Sequence, residues 1–200
     1  PSMAEARLGR LDEAEAALRE STRVQPREAS AHYNLGPLLA ERRRPAEARD
    51  ALRRALDLDP RNAAAAYNLA VLGAESPKEA AALAERAAGI APQDPRYAFT
   101  QAFFLEKAGD ARGAERVLRA LVARHPGYRD GWAFLGALLE GRGRSAEARD
   151  VYRRAADTAA LPATDPQGWR STGWTVHSRT GPVSGAAVAV LFCSCSAMAI

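Results

Sequence analysis

Residues 29–60 decide the fold, and they read ASAHYNLGPLLAERRRPAEARDALRRALDLDP. Their apolar and small residues recur every three or four positions in two blocks, which is the spacing of two amphipathic helices. The blocks are separated near Arg44 and Pro45 and closed by Asp59 and Pro60, which are residues that interrupt or end helices. This stretch therefore predicts one helix–turn–helix unit.

The same unit recurs along the chain. The pentapeptide Ala46–Asp50, AEARD, is found again at 146–150. Four prolines follow one another at intervals of 34, 32 and 34 residues: Pro26, Pro60, Pro92 and Pro126. Tandem repetition of a helical pair at such a period is typical of a solenoid, in which neighbouring units bury each other's apolar faces. We therefore predict an all-α protein built from helix–turn–helix repeats.

The 34-residue period and the residues inside it resemble the tetratricopeptide repeat family. The pattern of that family has Leu-Gly in the first helix, small residues where helices cross, and a closing proline. The first full unit matches this pattern at five positions: Leu35, Gly36, Ala48, Ala55 and Pro60. The resemblance covers about four-fifths of the chain. It implies a right-handed α-solenoid over residues 1–160.

The predicted units divide the chain into an array and a tail. A partial repeat covers residues 1–26, and full repeats cover 27–60, 61–92, 93–126 and 127–160. Residues 161–200 show no repeat, and we predict that they are disordered or non-native. Three interpretations of this tail stay open, namely a reading-frame slip or misassembled fragment, a membrane tail, and a disordered extension. Membrane contact is expected only if residues 183–200, which are uncharged and about 27 Å long as a helix, form an anchor.

The resemblance also implies a binding surface. In this family the first helix of each unit lines the inner, concave face, and seven residues fall on or near it: Tyr33, Asn34, Tyr67, Asn68, Phe99, Thr100 and Phe103. Asn34 and Asn68 lie in matching YNL contexts, and an amide that both donates and accepts can hold the backbone of an extended peptide. This arrangement resembles the asparagine ladder in the repeats of O-linked N-acetylglucosamine transferases. The alternative is that YNL is a stably folding repeat sequence with solvated asparagines.

The function implied by the resemblance is that of a protein–protein interaction scaffold, which binds a protein or peptide segment in its groove. The alternative is a substrate-docking arm of a larger enzyme, such as a glycosyltransferase, whose catalytic domain lies outside this chain. We expect a fragment of a bacterial, cytoplasmic protein, with periplasmic and membrane-anchored locations as alternatives.

No enzymatic activity, metal site or cofactor is expected. The three histidines, His32, His125 and His177, are far apart in a linear array. No cysteines or clustered carboxylates accompany them to complete a metal site or an activated nucleophile. The sequence also contains no glycine-rich phosphate loop.

The charge pattern bears on the class of partner. The chain has 28 basic and 24 acidic residues, a net charge of +4, with arginines interspersed among carboxylates. Nucleic-acid binders usually concentrate basic charge on one face, so no nucleic acid is expected; RNA or DNA binding remains a third hypothesis, testable by its salt dependence. Arginines crowd the turns between helices: Arg42, Arg43, Arg44, Arg142 and Arg144. We expect solvated basic turns there, with contact to phosphate or an acidic partner as the alternative.

Local signals mark the helix ends and one irregularity. Ser76 opens a capping box, and Asn62 and Asp94 are good N-caps. Pro37 falls inside the first helix of its unit, where it should remove one hydrogen bond and cost roughly 3 kcal/mol or bend the helix. The second full unit lacks two residues in the turn before Ser76.

Overall fold

The computed structural model describes residues 3–73 and 76–159. Within these ranges the chain forms nine α-helices and no strand, which confirms the predicted all-α solenoid. The helices are α1 (Met3–Val24), α2 (Ala29–Glu41), α3 (Pro45–Leu58), α4 (Ala63–Gly73), α5 (Pro77–Ile90), α6 (Pro95–Lys107), α7 (Ala111–Arg124), α8 (Arg129–Gly141) and α9 (Ser145–Ala159). The predictions for residues 161–200 lie outside the described residues.

Each helix packs mainly against the helices before and after it in the sequence. Short turns connect them, so successive helices form hairpin-like pairs. We call the first helix of each pair helix A (α2, α4, α6 and α8) and the second helix B (α3, α5, α7 and α9). None of the helices in the described part of the chain has the length and apolar character needed to cross a membrane.

Small residues lie where helix A crosses helix B. An added Cβ on Gly36 would come within 2.6 Å of Leu52 Cγ, and Leu52 is fully buried. Only a residue without a side chain lets the two backbones approach this closely. The matching positions on the other helices A are also buried: Ala70, Ala102 and Gly136. On helix B the alanines at the predicted packing position are all buried: Ala48, Ala80, Ala114 and Ala148.

The apolar core runs along the array instead of forming one centre. One buried cluster surrounds Leu35 and Leu39, and a second contains Leu52 and Leu69. A third cluster extends over α6 to α9 and includes Leu118. Because each cluster lies between neighbouring helix pairs, every unit depends on the next one to cover its apolar face.

The predicted helix starts are confirmed. The side chains of Ser76, Asn62 and Asp94 accept backbone N–H bonds at 3.2, 2.9 and 3.0 Å, respectively. Each bond satisfies one of the N–H groups that a helix leaves unpaired in its first turn.

Two helices depart from regular units. Pro37 lies inside α2, as predicted, and its ring is exposed. Helix α1 continues without a turn through Gly9, which corresponds to Arg43 and Gly143 in complete units. The partial first unit is therefore one long helix whose C-terminal half takes the place of a helix B.

Candidate functional site

All seven predicted binding residues lie on helices A. Tyr33 and Asn34 are on α2, Tyr67 and Asn68 on α4, and the other three on α6. The repeat period places six of them at equivalent points of consecutive units, and Phe103 lies about one turn after Phe99 on α6. They therefore belong to one layer of helices. We refer to this layer, made of α2, α4, α6 and α8, as the helix A layer.

These seven side chains differ in exposure. Asn34 is exposed, and four others are half-buried: Tyr33, Asn68, Phe99 and Phe103. Tyr67 exposes only 5% of its surface and Thr100 only 1%. The ring of Tyr67 packs on that of Tyr97, with centroids 5.1 Å apart. The Thr100 hydroxyl has no hydrogen-bond partner within residues 3–73 and 76–159. The structure thus places Tyr67 and Thr100 within the packing between helices, and leaves five of the predicted residues accessible.

Asn34 and Asn68 form a matched pair on consecutive helices A. Among the described residues, neither side-chain amide makes a hydrogen bond to protein. Each amide therefore keeps its donors and its acceptor for water or for a ligand. Thr100 and Phe134 occupy the same position in the next two units, so the described array contains two such amides.

Farther along the layer, three half-buried rings form what we call the phenylalanine cluster: Phe99, Phe103 and Phe134. The centroid of Phe134 lies 5.5 Å from that of Phe99 and 6.5 Å from that of Phe103. Lys107 Nζ lies 5.5 Å from the Phe103 centroid, within the range of a cation–π contact. The cluster therefore offers apolar surface with one positive charge at its edge.

Phe134 is not among the seven residues that the resemblance predicts for the binding surface. A signal was nonetheless present, because Phe134 lies one period after Thr100 and two after Asn68. An aromatic residue at a half-buried position of helix A adds contact surface even where it cannot donate a hydrogen bond.

At the start of α6 the partly exposed charge of Arg96 is neutralised by a neighbouring carboxylate. Arg96 Nη2 lies 2.6 Å from Asp94 Oδ2, and its guanidinium lies 5.9 Å from the ring centroid of Tyr67. The hydrogen bond to Asp94 raises the pKa of Arg96 above its ordinary value despite partial burial. Burial is also the main cause that raises the pKa of the nearby Tyr128 hydroxyl, so both groups keep their usual protonation at neutral pH.

Four of the five turn arginines correct the expectation of solvated basic turns, whereas Arg43 is exposed as expected. Arg44 Nη1 lies 2.6 Å from Glu15 Oε1, and Arg42 Nη1 lies 3.1 Å from Glu15 Oε2. Arg19 bonds the same carboxylate at 2.7 Å, and Arg44 also bonds Glu47 at 2.6 Å. We call these five residues the first ion-pair network. It joins α1, the α2–α3 turn and α3, so these arginines connect consecutive units.

A second ion-pair network repeats the first after 100 residues. Arg144, Arg119 and Arg142 lie 2.7, 2.9 and 3.2 Å from Glu115, and Arg144 bonds Glu147 at 2.7 Å. Burial opposes ionisation of Glu115, but hydrogen bonds from Arg119 and Arg144 outweigh it and lower its pKa. The network joins α7, the α8–α9 turn and α9. The sequence showed the arginines of both networks but not the carboxylates beneath them.

Within residues 3–73 and 76–159, no group of three or more histidine, cysteine, aspartate or glutamate side chains is placed to hold a metal ion. The side chains of Asn34 and Asn68 on the helix A layer are amides that make no hydrogen bond within the described residues. Amides serve recognition through hydrogen bonds, and they are neither nucleophiles nor proton-transfer groups near neutral pH.

Comparison with known proteins adds a family model and several solved structures. The model described as "Tetratricopeptide repeat" matches residues 2–55, 33–95 and 105–166. No curated protein sequence matches the chain.

Three solved structures illustrate the similarity. MamA from Desulfovibrio magneticus RS-1 is 18% identical, with a TM-score of 0.67 over 77% of this chain and 88% of MamA. YrrB, described as a TPR protein with an unusual peptide-binding site, is 22% identical, with a TM-score of 0.65 over 76% and 80% of the two chains. PilF of Pseudomonas aeruginosa is 20% identical, with a TM-score of 0.63 over 80% and 74%. At these identities the likeness is one of fold.

Proposed function

The chain belongs to the tetratricopeptide repeat family, and from that premise we propose that it is an interaction scaffold that binds an extended segment of a partner protein across its helix A layer. The observation that carries this proposal is the pair of amides on Asn34 and Asn68, which make no hydrogen bond within the described residues. An extended peptide presents backbone N–H and C=O groups that form no hydrogen bonds within the peptide. A side-chain amide matches both groups, so it can bind main chain without selecting a side chain.

The phenylalanine cluster supplies the apolar part of the same surface. Its three rings are half-buried, so they are held in place by packing and still present area to a ligand. Rigid aromatic side chains lose little conformational entropy on binding and often dominate binding energy. We therefore place an apolar side chain of the partner segment on this cluster, one or two units beyond the paired asparagines.

YrrB supports the proposal by analogy, because its structure is described as that of a TPR protein with a peptide-binding site. The role we propose for the described residues is binding and not catalysis, since Asn34 and Asn68, the polar side chains that carry the proposal, are amides. A docking arm of a larger enzyme would use the same surface in the same way.

The test begins with a segment selected from a library of random 12-residue peptides displayed on phage. Asn34→Ala and Asn68→Ala should each weaken binding of the selected peptide by about 0.5–1.5 kcal/mol, which is the net contribution of one hydrogen bond. The double variant should lose about the sum, because the two residues are one unit apart and share few neighbours. Dissociation constants are measured by fluorescence polarisation with the labelled peptide.

Gln93→Ala is the matched control, because it removes an exposed amide from the α5–α6 turn instead of the helix A layer. It should leave the dissociation constant unchanged. Phe103→Ala should weaken binding more than either asparagine change, since it removes part of the aromatic anchor. If Asn34→Ala, Asn68→Ala and Phe103→Ala keep the wild-type circular dichroism and the wild-type dissociation constant, the peptide binds at another surface.

A further inference from the structure

The two ion-pair networks differ in what lies beside them. In the first, Asp12 Oδ1 lies 2.5 Å from Arg42 Nη1 and so neutralises the arginine at the end of α2. A shift of 100 residues replaces Asp12 by Arg112 and Ala16 by Arg116. Both arginines are exposed on α7, and no hydrogen bond or ion pair to either is found among the described residues.

This replacement changes the charge of the surface. The first network and its two neighbours contain three arginines and three carboxylates: Asp12, Glu15, Arg19, Arg42, Arg44 and Glu47. The matching positions contain five arginines and two glutamates: Arg112, Glu115, Arg116, Arg119, Arg142, Arg144 and Glu147. The net charge of these positions is therefore zero in the first copy and +3 in the second. Asp110 is engaged as the α7 cap, where its Oδ1 accepts the Gly113 N–H at 2.8 Å.

We propose that Arg112, Arg116 and Arg142, here called the basic patch, form a docking site for an acidic segment of a partner protein. One carboxylate of that segment pairs with Arg142, as Asp12 pairs with Arg42 in the first copy. Arg42 pairs with two carboxylates, Asp12 and Glu15. Arg142 pairs only with Glu115 among the described residues, so the second copy lacks the second carboxylate. A guanidinium holds a carboxylate through two parallel N–H bonds, which makes this pairing strong as well as directional.

The observations favour an acidic protein segment over nucleic acid. Glu115 and Glu147 neutralise Arg119 and Arg144 beside the patch, so the excess positive charge at this junction covers only a short stretch of α7 and the α8–α9 turn. The matching junction at the other end of the array carries no net charge. A nucleic acid would need basic residues that continue along its phosphates, whereas two or three carboxylates are enough to balance the patch. The site lies on α7 and the α8–α9 turn, so it does not depend on the helix A layer.

The probe for this site is a fluorescein-labelled peptide of six glutamates, and binding to the full chain is followed by fluorescence polarisation in about 50 mM salt, where charge pairing is weakly screened. Arg112→Asp should weaken binding at least about tenfold, because it reverses one charge and gives Arg142 a second internal partner beside Glu115. The same change should leave the helical circular dichroism signal unchanged. Equal binding by the wild-type chain and Arg112→Asp would overturn the proposal, as would the absence of any binding.

The first copy provides the reciprocal experiment. Asp12→Arg combined with Ala16→Arg reproduces the composition of the second copy, and should raise the number of bound peptides per chain from one to two. If the double variant unfolds at the wild-type temperature but still binds one peptide per chain, these arginines do not create a binding site. A 12-base-pair DNA duplex is the competing probe. If the duplex binds more tightly than the peptide, and Arg112→Asp abolishes that binding, the partner is a nucleic acid and the proposal of an acidic segment is wrong.

Discussion

Gly36 and Gly136 occupy the same crossing point in two units, yet different side chains face them. A Cβ on Gly36 would come within 2.6 Å of Leu52 Cγ, and Leu52 has no exposed surface through which to move. A Cβ on Gly136 would meet the ring of Tyr152, which is 37% exposed and can rotate towards solvent. Glycine at the same position is therefore required in the first unit and dispensable in the fourth.

Replacement by alanine separates these cases. In a helix interior, alanine is favoured over glycine by about 1 kcal/mol, whereas overpacking a closed core costs about 1–3 kcal/mol. Gly36→Ala should lower the free energy of unfolding by about 1 kcal/mol or more, and Gly136→Ala should leave it unchanged or raise it. Urea denaturation followed by circular dichroism gives both values. Equal effects of the two changes would mean that Leu52 can move as freely as Tyr152.

The turns between helix A and helix B show how an element tolerates an unsuitable residue. In three units one turn residue has positive φ: Arg43 at 58°, Gly109 at 84° and Gly143 at 74°. Glycine adopts this left-handed conformation at little cost, whereas a residue with a Cβ loses roughly 1–2 kcal/mol. The first complete unit therefore carries strain that the third and fourth avoid.

Arg43→Gly should relieve this strain. Part of the gain is offset because glycine also makes the unfolded chain more flexible, so we expect the free energy of unfolding to rise by about 0.5 kcal/mol. Gly143→Arg is the matched reverse change and should lower it by about 1 kcal/mol. Thermal unfolding of both variants checks the pair. Loss of stability in Arg43→Gly would mean that the exposed arginine makes a stabilising contact that outweighs its backbone conformation.

Across the array, the sequence was sufficient to predict the repeats because close helix crossings require small residues at fixed spacing. Ala48, Ala114 and Ala148 are buried where the period placed them. The candidate site was less predictable. The period shows which residues lie on helix A, but it does not show how deeply each side chain enters the neighbouring helix. The period placed Tyr67 and Thr100 on or near the concave face, and in the structure both side chains are buried between helices.

The ion-pair networks were unpredictable for a different reason. Arg44 donates a hydrogen bond to Glu15, which lies 29 residues earlier in the sequence, and Arg144 bonds Glu115 at the same separation. Such pairs depend on how one unit is rotated against the next, which local periodicity does not specify. In the sequence these arginines look like basic turns. In the folded protein their ion pairs connect neighbouring units at both ends of the described array.

These junctions should make the stability of the whole array depend on pH. Hydrogen bonds from Arg19, partly opposed by burial, and then from Arg44 lower the pKa of Glu15, and the pKa of Glu115 is lowered in the same way. A carboxylate whose pKa is lower in the folded than in the unfolded chain contributes stability above its ordinary value of 4.5. That contribution is lost as the pH falls through the folded pKa, because the native state must then bind protons.

Glu115→Gln isolates one junction. At pH 7 it should lower the melting temperature by about 2–4 °C, which corresponds to roughly 1 kcal/mol in a domain of this size, because Arg142 and Arg144 lose a charged partner. As the pH falls below 4.5 and through the lowered pKa of Glu115, the wild-type carboxylate becomes protonated as well, so the two melting curves should converge. Glu13→Gln, which changes an exposed carboxylate on α1, should follow the wild-type curve at every pH. A gap between wild type and Glu115→Gln that does not narrow as the solution is made more acidic would show that the glutamate acts through its shape and hydrogen bonds instead of its charge.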